Sequence, residues 1–107
     1  MDIYKFSQNH VVDFAAEELK KYIMMMEPRK NAPEIFVGAD KGEGLKIGLM
    51  RDFGLESYAK GNTYLDDSIY IDADEHGGII AGSNERSVLL GVYEYLRKNG
   101  CIWLFPG

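Results

Sequence analysis

The sequence predicts an α+β domain: a mixed β-sheet of five or six strands with two helices packed on one face. Three observations carry that prediction. Two stretches space their apolar residues by threes and fours, several short runs are rich in β-branched and aromatic residues, and the two kinds of segment alternate along the chain. At 107 residues, 46% hydrophobic and 27% charged, the chain can bury one core and is read as a single domain.

Ile3, Tyr4 and Phe6 in DIYKF predict a short first strand that ends at the polar turn SQNH. Over residues 11 to 26 the period changes. Val12, Ala16, Leu19, Ile23 and Met26 form a stripe with Glu17, Glu18, Lys20 and Lys21 between its members, which is an amphipathic helix. Asn9 is its candidate cap, Asp13 suits the positive end of its dipole, and Pro28 helps to stop it.

EIFVG and LKIGLM follow as strands around the glycine-rich turn ADKGEG, and residues 51 to 67 are too polar and irregular for more than a loop with a turn or short strand. SIYIDA and GIIAG, joined by the acidic DEHG, predict a hairpin. SNERSVLLGVYEYLRKNG then predicts a helix capped by Ser83 or Asn84, with Leu89, Val92, Tyr93 and Leu96 as its buried stripe, Val88 beside it, and Gly100 ending it. CIWLF is expected to be a last strand closed by Pro106.

A net charge of −5, with no lysine or arginine between Lys60 and Arg86, gives nucleic acid and anionic membranes no electrostatic footing. No stretch approaches the length of a membrane-spanning helix. The start MDIYKFSQNH lacks the pattern of a signal peptide, and Cys101 alone cannot form an internal disulfide; neither fixes the compartment.

No set of residues reads as a catalytic constellation, and no cofactor or metal is expected. Asp72, Asp74, His76 and Gly77 match the first, third, fifth and sixth places of a calcium loop, but the twelfth place holds Ser83 instead of glutamate, so a hairpin turn is favoured. Asp66 and Asp67 are adjacent and on a strand would face opposite ways, unlike a pair of catalytic carboxylates. His10 and His76 lack a second ligand at suitable spacing, and Cys101 in its apolar run is expected to be a buried thiol. GADKGEG and AGSNERS lack the Gly-Lys-Ser/Thr ending of a phosphate loop. Met24, Met25 and Met26 are expected to fill a core edge rather than to form a binding surface.

One set of motifs goes beyond pattern. Ala15-Ala16-Glu17-Glu18-Leu19, Gly82 with Asn84 and Arg86, Leu90-Gly91-Val92-Tyr93 with Leu96, and the closing Gly100-Cys101, Trp103 and Pro106 occur in that order. Together they resemble the small N-terminal domain that precedes the catalytic barrel in family 67 α-glucuronidases, family 20 β-hexosaminidases and related bacterial glycoside hydrolases. Ser87 stands where such domains often have glycine, and Leu90 where they often have tyrosine. The resemblance implies a zincin-like sheet without a metal centre, and an excised accessory domain whose parent carries its catalytic acids beyond Gly107. The compartment of such a parent is left open, with a secreted or periplasmic one favoured over a cytoplasmic one.

The apolar ending GCIWLFPG is then a joint, with Trp103, Phe105 and Pro106 as the expected interface to the barrel. The expected function is therefore to support and orient a catalytic unit acting on a carbohydrate. The alternative is a carbohydrate-binding module in which Trp103 and tyrosines such as Tyr58, Tyr64 or Tyr70 stack on sugar rings. Exposed, clustered rings would favour binding, and buried rings a scaffold.

Overall fold

The computed structural model describes residues 1–38, 42–62 and 66–101. Among them are five strands and two α-helices: β1 (Asp2–Lys5), α1 (His10–Met26), β2 (Ile35–Val37), β3 (Gly44–Leu49), β4 (Ile69–Asp74), β5 (Gly77–Gly82) and α2 (Glu85–Lys98). The strands form one mixed sheet in the order β2-β1-β3-β5-β4. Its first four members run parallel, and β4 pairs antiparallel with β5 as the predicted hairpin. The fold class read from the sequence is the observed one. The expected strand after Cys101 lies outside the described residues.

Both helices cover the same face of the sheet and pack against each other. Ile3, Leu45, Ile47, Leu49 and Ile80 point into this layer and meet Val12, Ala15, Ala16, Leu19 and Ile23 of α1 and Val88, Val92 and Leu96 of α2 in one core. Burying such side chains is worth about 1.5 to 3 kcal/mol each before chain entropy is subtracted, so this seam is the main support of the fold.

The α1 stripe is the one its periodicity predicts, with Ala15 added. The α2 stripe is rotated. Val88, Gly91, Val92, Tyr95 and Leu96 are buried, whereas Leu89 and Tyr93 are half-buried. The reason is that α2 has two neighbours. Tyr93 turns toward α1, where its hydroxyl donates to Glu18 at 2.7 Å, while Gly91 lies against the sheet.

Two glycines permit that close approach. A Cβ on Gly82 would stand 2.5 Å from the Val88 nitrogen, and one on Gly91 3.0 Å from the Ile80 Cγ2. At Gly82 the helix meets the sheet with no room for a side chain, and at Gly91 a Cβ would be a tight fit against the Ile80 methyl.

Asn9 caps α1, its side chain accepting from the Val11 amide at 2.8 Å, and Asp13 in the first turn pairs with Lys5 of β1. At the end of α2 the Gly100 amide donates to Arg97 and the Cys101 amide to Leu96, with Gly100 at φ +87°. That is a Schellman ending, and it draws the buried Cys101 against the core beside Leu96.

The stretch read as a loop after β3 contains two short 3₁₀ turns, Met50–Phe53 and Glu56–Tyr58. Met50, read from the sequence as the end of a strand, is the buried first residue of one of them.

Candidate functional site

Two features stand apart from the helix-covered core. One is a polar cluster where β5 gives way to α2. The other is the sheet face turned away from the helices.

The polar cluster begins with Asn84, the N-cap of α2, whose Oδ1 accepts from the Ser87 amide at 2.8 Å. Its Nδ2 donates to Asp67 at 3.1 Å, and the Arg86 Nε donates to both oxygens of the same carboxylate at 3.0 and 3.1 Å. The Arg86 Nη2 lies 2.9 Å from Asp67, and the Ser87 hydroxyl lies 3.0 Å from it. The Arg86 hydrogen bonds hold the Asp67 carboxyl below its ordinary range; Asn84 and Ser87 act in the same direction, against a burial effect that raises it. The guanidinium is raised in turn by Asp67.

Around this carboxylate the loop before β4 is fastened by further hydrogen bonds. The Ser68 amide donates to the Ser83 hydroxyl, which donates to the Asp66 carbonyl, and the Ser83 amide donates to the Ser68 carbonyl. Asp66 turns to another task, accepting from the Asn62 amide at 2.9 Å. The two neighbouring acids therefore serve different groups and do not converge on one bond. Chemically the cluster is a latch: a carboxylate surrounded by donors is stabilised as an anion, which makes it a weak base and a poor nucleophile.

On the far face of the sheet the register aligns Phe36, Tyr4, Lys46, Ile79 and Asp72 in a row across all five strands. Tyr4 is buried at 2% exposure and stacks on Phe36 with ring centroids 5.4 Å apart. Phe6 meets Phe53 at 5.0 Å, and Tyr58 meets Tyr70 at 4.9 Å. The 3₁₀ segment carrying Phe53 is held by Asp52, which accepts from the Leu49 amide at 2.8 Å and from the Ser7 hydroxyl. Of the rings on this face, Tyr58 alone exceeds half exposure among the described residues.

The other residues singled out in the sequence are scattered. His10 opens α1, beyond the carboxyl end of β1, and His76 sits in the β4–β5 turn at the amino end of β5, the opposite end of the parallel strands. In that turn Asp74 accepts from the His76 amide at 2.8 Å, and Ser83, the twelfth place of the imagined calcium loop, lies beyond the far end of β5. Met26 packs on the core as expected, but Met24 and Met25 are exposed. Trp103, Phe105, Pro106 and Tyr64 lie outside the described residues.

Sequence reasoning offered Ser83 or Asn84 as the cap, of which Asn84 serves, and it missed both the close approach at Gly82 and the Asp67–Arg86 pair. The available signal was that Arg86 is the first lysine or arginine after Lys60, close to the pair Asp66-Asp67 once the hairpin closes. No family model matches the chain, and no curated protein matches it.

Proposed function

We propose that the chain is a non-catalytic accessory domain of a glycoside hydrolase, one that supports and orients a catalytic barrel following it in a longer chain. The observation that carries this reading is the use made of the residues in the resembling motifs. Gly82 and Gly91 let α2 lie on the sheet, Asn84 caps it, and Arg86 latches the loop before β4. Each does architectural work, as a scaffold requires.

The far sheet face adds support. It carries three ring pairs whose members are largely engaged with each other, which suits a surface covered by another unit better than an open stacking platform for sugar rings. The reading as a carbohydrate-binding module rests on the Tyr58–Tyr70 pair, where Tyr58 is 55% exposed.

The test is to assay aryl-glycoside hydrolysis and glycan binding by the 107-residue chain beside the chain continued past Gly107 as its gene encodes it. The accessory reading expects the short chain to be inert and the longer one to cleave. Cleavage by the short chain overturns it. Glycan binding by the short chain that is abolished by Trp103→Ala or Tyr58→Ala without unfolding replaces it with the binding-module reading.

A further inference from the structure

The outward face of α1 carries large apolar side chains that this fold does not use. Phe14 is 51% exposed, Met24 43% and Met25 40%. Between Phe14 and Met24 stand Glu17 and Lys21, both exposed, so the stripe runs Phe14, Glu17, Lys21, Met24 at steps of three, four and three. That is the spacing of a helix–helix seam, and here it faces away from the core. Glu17, Lys20, Lys21, Met24 and Met25 line an open groove of about 390 Å³ along it.

The order of these residues is self-complementary. Phe14 and Met24 each lie five residues from Leu19, and Glu17 and Lys21 each lie two residues from it. A two-fold axis crossing the outward face of α1 at the level of Leu19, whose own side chain is buried on the opposite side, therefore sets Phe14 of one copy against Met24 of the other and Glu17 against Lys21, with every contact repeated by symmetry. The antiparallel arrangement also opposes the two helix dipoles. Glu17 has no ion-pair partner among the described residues, while Lys21 lies 3.9 Å from Glu18 and 4.9 Å from the centre of the Tyr22 ring, with its side chain 57% exposed.

We propose that a second copy of this chain docks on this face, giving an isologous dimer of antiparallel α1 helices with Glu17 of each copy paired to Lys21 of the other. Charge complementarity selects this occupant, because the stripe matches its own reverse. The seam is about 15 Å long at 1.5 Å per residue, short for a stable interface, so the dimer is a weak one.

Sedimentation equilibrium of the chain from ~10 μM to ~1 mM tests this, at a salt concentration where the Debye length of about 8 Å screens the overall charge. The wild-type chain is expected to dimerise with concentration. Glu17→Lys and Lys21→Glu each place four like charges in the seam and are expected to weaken the dimer roughly tenfold. An equimolar mixture of the two variants restores opposite charges across the seam and is expected to dimerise again as a heterodimer. Both positions are exposed, so circular dichroism should not change. A wild-type chain that stays monomeric at ~1 mM overturns the proposal, as does a dimer indifferent to the reversals or a mixture that fails to recover.

Discussion

Both helices are capped by an asparagine, and their starts are held in different ways. Asn9 accepts from an amide two positions ahead, and the first turn of α1 is tied by Asp13 to Lys5, eight positions back. Asn84 also accepts from its own first turn, but it donates to Asp67, seventeen positions upstream, and Arg86 and Ser87 converge on the same carboxylate. An asparagine cap contributes its intrinsic ~1 kcal/mol at either site. What differs is how much of the chain depends on it: the start of α1 secures a helix, whereas the start of α2 also secures the loop before an edge strand.

The largest expected effect comes from removing the floor beneath the second start. Gly82→Val places carbon where the Val88 nitrogen stands 2.5 Å away and the Ser87 Cβ 2.6 Å away. Backbone cannot yield as a flexible side chain can, so a loss above ~3 kcal/mol, or failure to fold, is expected in urea unfolding. A mild effect would mean that α2 can ride higher on the sheet.

Next is the contrast between the caps. Asn84→Ala removes the cap and one donor to Asp67 and is expected to cost about 2 to 3 kcal/mol, against about 1 kcal/mol for Asn9→Ala. Equal costs would erase the difference between the two starts.

The latch also has a pH signature. The Asp67 carboxyl is lowered in the folded chain from the ordinary 3.8, chiefly by Arg86. A depressed acid contributes stability that is complete above its unfolded value and is lost as pH falls below it toward the folded value. Wild type should thus exceed Asp67→Asn in stability at neutral pH, with the gap closing as acid is added below about pH 4. Amide exchange at Ser68 and Ser83 should quicken in the variant while exchange at Val11 and Asp13 stays unchanged. Equal changes at both starts would show that the latch is not local.

The same contrast explains what could be read in advance. The sheet, both helices and the Asn9 cap were legible, and the α2 cap was narrowed to Ser83 or Asn84, because each rests on neighbours within one or two turns or on a period of two or 3.6. Asp67 and Arg86 were not, since only the folded hairpin brings residues nineteen positions apart into contact. Periodicity also found the apolar side of α2 but centred it on Leu89 and Tyr93, which are only half-buried: Tyr93 reaches across to Glu18 of α1, while Val88 and Tyr95 are buried in the core. The 3₁₀ turns at Met50–Phe53 and Glu56–Tyr58 are three or four residues long, too short for any period to register.

The smallest expected effect lies where the two starts should matter equally. Glu18 and Tyr93 are each the ninth residue of their helices, and their hydrogen bond ties α1 to α2 midway along both. Partial burial, together with Glu18, raises the Tyr93 hydroxyl to about 12 from 10.0. A raised acid holds its proton in the folded chain after the unfolded chain has released it, so its contribution is complete below pH 10 and declines as pH climbs toward 12. Tyr93→Phe is expected to cost roughly 0.5 to 1.5 kcal/mol at neutral pH, an ordinary hydrogen bond, and to flatten the alkaline loss of stability between those two values. Because the bond is equally far from both caps, exchange at Val11 and Ser87 should rise together. If only one of them responded, one helix would be held by the sheet alone, and the pairing of α1 with α2 would be the weaker of the two contacts.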